Sequence, residues 1–171
     1  RLGIASALLI HPKLIVCDEP VSALDVSIQA QILNMLMELQ KELQLSLLFI
    51  SHDIGVIRFI SDRIGVMYLG SLVEETDTEE LFGNPLHPYT KALLASAPDP
   101  YIKRKDFVAL KGEQPVRTEE FTGCAFCSRC PHATEQCKKE SPVLREVAKG
   151  HKVACHLVKS PDITDAIRKN S

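Results

Sequence analysis

The sequence predicts an α/β fold for about its first eighty residues, followed by a small cysteine-rich module held by something other than a large core. Apolar runs of strand length alternate with segments of helical period up to residue 82. Proline-rich, irregular sequence sets in at Gly83, and five of the six cysteines fall between Cys124 and Cys155.

Each element follows from local pattern. Leu2 to Ile10 reads as a helix closed by Pro12, and Leu14 to Cys17 as a short, wholly apolar strand suited to burial. Val26 to Gln44 places Ile28, Ile32, Met35, Leu36, Leu39 and Leu43 at spacings of three and four, which builds one apolar helical face. "LSLLFIS" is a second buried strand, Asp53 to Ser61 a short helix, "RIGVMYLG" a third strand, and Gly70-Ser71 a tight turn into "LVEE". Together these form half of an open, parallel sheet covered by helices, over residues 1–82. Residues 83–171 form the second region. There "GNPLHPYT" turns into the brief helix "KALLASA", and "PDPY" is a turn and linker. Charged and short apolar pieces alternate from Lys103, and the end after Pro161 is polar and reads as frayed.

Composition excludes several classes. Hydrophobic residues at 45%, charged residues at 25% and a net charge of -2 describe an ordinary globular protein with no electrostatic reason to bind nucleic acid or an acidic membrane. No apolar run reaches the roughly 20 residues of a membrane helix. The 171 residues suffice for one or two domains with a real core. The chain opens on Arg1, already within a helical pattern, as a piece of a longer protein would.

Two constellations carry chemistry. Asp18 and Glu19 end a buried strand, where open α/β sheets place their ligands. An aspartate there can hold Mg²⁺ through water, and a neighbouring glutamate can orient or deprotonate an attacking water. The plainer alternative is a solvated acid pair, with Asp25 capping the next helix. His52, at the end of the adjacent strand in "FISHD", favours a shared crevice, since an imidazole there could contact a phosphate oxygen. No glycine is followed by lysine and then serine or threonine, so the chain has no phosphate-cradling loop of its own.

The second constellation is Cys124, Cys130, Cys137 and Cys155, separated by five, six and seventeen residues, with Cys127 midway between the first two. With no export signal in the opening residues, clustered thiols favour a metal over disulfides, and four suffice for zinc or an iron–sulfur cluster. The spacing leaves the metal open, and His132, His151 or His156 could replace a cysteine on zinc. Reduced thiols in a small core, or disulfides, are the blander alternatives.

"LIVCDEPVSALD", "FISHD" about thirty residues later and then "VMYLG" resemble the second half of an ATP-binding-cassette ATPase, over residues 1 to about 82. The resemblance implies the C-terminal half of a RecA-like core, with parallel strands and flanking helices. Asp18 is then the Walker B aspartate serving Mg²⁺ and ATP, Glu19 the catalytic base, Ser22 to Asp25 the D-loop facing a second subunit, and His52 the switch histidine. "RLGIASALLIHP" is similar to the helix after that family's signature loop. Its phosphate loop, adenine-stacking aromatic, glutamine loop and signature lie upstream of residues like these, so this chain alone is expected not to hydrolyse ATP.

"NPLHPYTKALLASAP" and "GCAFCSRCPHATEQCKKESPVLREVAKGHKVACHL" look like the C-terminal extension of oligopeptide and dipeptide importer ATPases, over residues 83 to about 158. That resemblance implies a [4Fe-4S] cluster, with zinc as the alternative, on Cys124, Cys130, Cys137 and Cys155, and leaves Cys127 outside the quartet. It also implies membrane-spanning permease subunits and a second ATP-binding subunit as partners, peptide delivered by a separate binding protein, and a peripheral position on the cytoplasmic face of the membrane. Related subunits serve dipeptides, longer peptides or nickel. A reading of a different class is a truncated, non-catalytic module that binds metal or a partner.

Overall fold

The structure, a computed structural model, describes residues 2–96 and 122–159. The linker read at "PDPY", the charged stretch from Lys103 and the tail after Pro161 lie outside the described residues. The chain divides into two compact units, Arg1–Ser61 and Asp62–Ser171. This division falls before the third strand, some twenty residues ahead of the change in sequence character at residue 83.

The first unit runs α1 (Leu2–Leu8), β1 (Leu14–Asp18), α2 (Val26–Leu43), β2 (Ser46–Ile50) and α3 (Ile54–Ile60). Strands β1 and β2 pair in parallel, from Leu14 opposite Ser46 to Asp18 opposite Ile50. The parallel pairing follows from the α2 crossover between them. Asp25 starts α2, its Oδ1 accepting from the Ile28 N–H at 3.0 Å. The chain leaves α2 through Gln44, in the left-handed region at φ 52°, and the Gln44 and Leu45 N–H groups both donate to the Gln40 carbonyl.

Ile32, Leu33 and Leu36 of α2 are buried with Val21 and Val56, and Ile28, Met35, Leu47 and Phe49 pack against them. Each fully buried aliphatic of this kind contributes roughly 1.5–3 kcal/mol. The helical face therefore sits near the predicted one, with Leu33 added and Leu43 turned to solvent. The strands differ from expectation. Leu14, Val16, Leu48 and Ile50 are 54%, 56%, 53% and 45% exposed, so β1 and β2 are packed on one face only. A parallel strand is buried on both faces only when helices cover both, and within this unit the described residues cover one.

The second unit contains β3 (Arg63–Tyr68), β4 (Ser71–Asp77), α4 (Thr78–Gly83), α5 (Pro88–Ser96), a 3₁₀ turn at Cys127–Arg129, α6 (Glu135–Lys139), β5 (Arg145–Ala148) and β6 (His151–Val153). Its sheet is antiparallel throughout, in the order β3-β4-β6-β5. The expected parallel arrangement is thus confined to β1 and β2. The reason is local: Leu69 and Gly70 both take positive φ, 45° and 74°, the two-residue turn that folds β3 directly back along β4. Ile64, Val66 and Tyr68 alternate inward along β3, and Val147, Val153 and Cys155 form a small core with Leu86 and Val158.

Candidate functional sites

The first site is built where β1 and β2 end. Glu19, the residue after β1, has φ 47°, and its N–H donates to the Ile50 carbonyl at 3.0 Å. A non-glycine residue in this conformation is held there by its surroundings at a cost of roughly 1–3 kcal/mol. The turn aims the carboxylate across the strand ends, where Glu19 Oε1 lies 2.8 Å from His52 Nδ1. Glu19 Oε2 is buried and has no hydrogen-bond partner. The His52 ring is largely exposed, and its pKa is raised, first by the hydrogen bond to Glu19, then by the Glu19 charge, with a smaller push from Asp53.

The loop between β1 and α2 is tied to the same turn. The Ser22 hydroxyl donates to the Glu19 carbonyl at 3.0 Å, while Gln29 Nε2 reaches back from α2 to the carbonyls of Val21 and Leu24. Sequence reading missed Gln29, whose only signal is a polar side chain one turn into the helix. Asp18 is exposed at the last position of β1, opposite Ile50. Asp25 caps α2, and Asp53 caps α3 by accepting from Gly55 and Val56. The structure thus brings together Glu19 and His52, with Ser22 on the same turn.

The second site lies in the second unit. Cys124, Cys127 and Cys130 follow one another on tight turns, with the Cys127 N–H donating to the Cys124 carbonyl at 2.9 Å and the Cys130 N–H to the Cys127 carbonyl at 3.4 Å. The Cys124 N–H donates to the Cys137 carbonyl at 2.7 Å, which fastens this ladder to α6. The approach needs Gly123, because a Cβ there would stand 2.6 Å from the carbonyl oxygens of both Cys137 and Lys138. Thr134 caps α6 and also places its hydroxyl 3.3 Å from Cys137 Sγ. Cys155 follows β6, and the guanidinium of Arg145 donates to the carbonyls of Cys155 and Val158.

All six cysteines are free thiols, so the disulfide alternative is not realised. Burial pushes the Cys124 thiol up to about 11, a direction reinforced by Cys137, Cys155 and Cys127 and opposed by a hydrogen bond from the Phe126 backbone. Burial also raises Cys130 and Cys127, again with neighbouring thiols adding to it. The quartet Cys124, Cys130, Cys137 and Cys155 therefore shares one neighbourhood. Yet among the described residues no group of three or more histidines, cysteines or carboxylates is arranged to hold a metal ion. A tetrahedral zinc with sulfurs about 2.3 Å away needs its thiolates to meet at one point. Cys124 and Cys130 stand at opposite ends of the turn ladder, and no such meeting is formed.

The histidines read as possible zinc ligands serve elsewhere. His151 is buried, its Nε2 lying 2.8 Å from Glu74 Oε1 and its Nδ1 3.4 Å from Glu80 Oε1. His156 Nε2 contacts the Glu140 carbonyl at 3.1 Å, and His132 is exposed. Glu74, wholly buried, also accepts from the Leu86 and His87 N–H groups at 2.7 and 3.1 Å, which pins the "LHPYT" turn to the sheet. His87 caps α5: its carbonyl accepts from Lys91 and its Nδ1 from the Tyr89 N–H at 3.1 Å. Its ring, with Tyr68, Tyr89 and Phe126, forms an aromatic cluster, and Phe126 carries the cysteine ladder onto that turn. Among the described residues no helix is long and apolar enough to cross a membrane.

Residues 73–137 match the family model described as the oligopeptide/dipeptide transporter C-terminal region. The chain is 54% identical over 160 residues to the oligopeptide transport ATP-binding protein AppF of Bacillus subtilis, covering 92% of this chain and 49% of the relative. It is 53% identical over 158 residues to the oligopeptide transport ATP-binding protein OppF of Escherichia coli, covering 91% of this chain and 47% of the relative. The chain therefore spans about half the length of the curated relatives it matches. Among solved structures, an ATP-binding cassette of an ABC transporter in its ADP conformation is similar, at a TM-score of 0.43 and 27% identity over 48% of this chain and 34% of that one.

Proposed function

We propose, for a chain that carries the C-terminal region of the oligopeptide-transport ATP-binding proteins, that it forms the hydrolytic half of the ATP-binding subunit of a peptide importer. The observation that carries this reading is Glu19, whose Oε1 is engaged by His52 while Oε2 is buried with no protein partner. That oxygen is an acceptor left unused by the protein, and it is the one that takes the proton once an attacking water is admitted beside it. Mg-ATP supplies the γ-phosphoryl group when it is bound. Asp18 would hold the Mg²⁺ through water, Glu19 act as the base, His52 contact the γ-phosphate, and Ser22 and Asp25 belong to the loop that faces a second ATP-binding subunit. Catalysis of this kind is mostly positioning and charge stabilisation, which suits groups fixed by backbone turns rather than free to swing.

In this reading the partners are the membrane-spanning permease subunits and a second ATP-binding subunit. Peptide reaches them from a separate binding protein, and the assembly sits at the cytoplasmic face of the membrane. Residues 83–171 form its extension, where Cys124, Cys130, Cys137 and Cys155 would hold a [4Fe-4S] cluster. The thiols are soft donors of the kind such a group takes, yet among the described residues they are not arranged to hold it.

The test is hydrolysis by a complete transport subunit that includes these residues. Glu19→Gln is expected to lower the rate by about 100-fold or more while nucleotide still binds, as loss of a general base does. A variant that hydrolyses ATP within about threefold of the parent would overturn the assignment of Glu19.

A further inference from the structure

Glu19 holds a conformation that its own neighbour in sequence opposes. It precedes Pro20, and a proline ring steers the residue before it toward extended backbone, yet Glu19 sits in the left-handed region at φ 47°. Such a residue stays in place only where its surroundings fix it. On the upstream side the Glu19 N–H donates to the Ile50 carbonyl of β2 at 3.0 Å. On the downstream side the Glu19 carbonyl accepts from Ser22 twice, from its N–H at 3.4 Å and from its hydroxyl at 3.0 Å. That second hold is only as firm as the loop carrying Ser22, and Ser22, Ala23 and Leu24 are all exposed. Val21 anchors one end of the loop through its buried side chain. Gln29 ties the loop to α2: its Nε2 donates to the Val21 carbonyl at 3.0 Å and to the Leu24 carbonyl at 3.1 Å, which uses both amide protons. The Leu24 N–H in turn donates to the Val21 carbonyl at 3.1 Å, so the three residues close a ring of hydrogen bonds against the start of the helix.

We propose that Gln29 is a positioning residue for Glu19, its amide clamping the loop of residues 21–24 so that Ser22 can hold the Glu19 turn. The proposal rests on the reading of Glu19 as the base. Removing the clamp strands no buried group, because the Val21 carbonyl keeps the Leu24 N–H and Leu24 itself is exposed. A donor whose loss leaves nothing buried and unpaired contributes little to global stability, so its effect falls on where the loop sits. Position matters for a base, since a displacement of about 1 Å can cost about 100-fold in rate.

The experiment uses a complete transport subunit that includes these residues, read by Mg-ATP hydrolysis and by amide hydrogen exchange followed by mass spectrometry. Gln29→Met keeps the length of the side chain and removes both donors; it is expected to lower kcat about tenfold with KM within about twofold of the parent. Gln29→Glu, the same shape with a carboxylate turned to two carbonyl oxygens, should lower kcat at least as far. In the Glu19→Gln background Gln29→Met should cost less than about twofold more, because a residue acting through Glu19 has nothing left to position. Amide exchange in residues 19–25 of Gln29→Met should quicken by about tenfold, while residues 32–39 of α2 exchange as in the parent and show that the fold is kept. Exchange unchanged in residues 19–25, or a kcat within about threefold of the parent, would overturn the proposal while leaving Glu19 as the base. So would a tenfold loss that persists undiminished in the Glu19→Gln background. A rate indifferent to Glu19→Gln alone would overturn the reading of the base, and the positioning role with it.

Discussion

His87 should make the second unit sensitive to acid well above the range where carboxylates titrate. Its ring is 1% exposed, and burial lowers its pKa from 6.5 to about 4, with the Glu74 carboxylate opposing part of the shift. The geometry gives a second reason. Nδ1 accepts from the Tyr89 N–H to cap α5, which only a neutral ring with its proton on Nε2 can do. Because the folded pKa lies below the unfolded one, the contribution is fully present above pH 6.5 and is lost as pH falls toward 4. At about 1.4 kcal/mol per pKa unit, the shift from 6.5 to about 4 corresponds to about 3 kcal/mol. Urea unfolding of the full chain between pH 7 and 4 measures this against His87→Asn. The amide oxygen of asparagine can still cap the helix, but the side chain cannot protonate. The variant should start less stable, by about 1 kcal/mol for the lost ring contacts, and gain about 2.5 kcal/mol on the parent by about pH 4.5, ending about 1.5 kcal/mol the more stable. Stability curves that stay parallel across this range would refute the reasoning, as would an imidazole NMR signal of His87 titrating near its ordinary value.

Two further outcomes are expected. The imidazole of His52 should titrate above the usual 6.5, and Glu19→Gln should bring it back toward that value, since Glu19 is the leading cause of the shift. The pairing is therefore complete below pH 6.5 and is lost as pH rises through the raised value; an NMR titration indifferent to Glu19→Gln would contradict the pairing. Gly123→Ala should destabilise the cysteine module by more than about 1 kcal/mol, because the new Cβ would meet two carbonyl oxygens at 2.6 Å. Unfolding curves that coincide with the parent's would show that α6 moves aside freely.

The parts legible in the sequence were those set by neighbours along the chain. Asp25 ahead of an apolar-periodic segment announced its own helix cap, and Leu14 to Cys17 and "LSLLFIS" announced strands whose crossover helix forces parallel pairing. What failed depended on distant partners. Glu74 in "LVEE" has the look of a solvent-facing strand residue, yet it is 0% exposed, because His151 and the Leu86 and His87 amides, 77, 12 and 13 residues away, satisfy its carboxylate. The same distance hid β6, which pairs antiparallel with β4, Val153 opposite Glu74. His151 was misread as a ligand candidate for this reason: spacing places it among cysteines, whereas packing gives both ring nitrogens to carboxylates.

The two sites differ in what their surroundings do to charge, and this decides what each can accept. Glu19 and His52 pair at the strand ends, which favours the protonated imidazole, while the second Glu19 carboxylate oxygen is buried with no hydrogen-bond partner. In the thiol site burial favours the neutral form of Cys124, Cys127 and Cys130, and neighbouring thiols push in the same direction. At Cys127, Lys138 opposes this push and Glu135 adds to it.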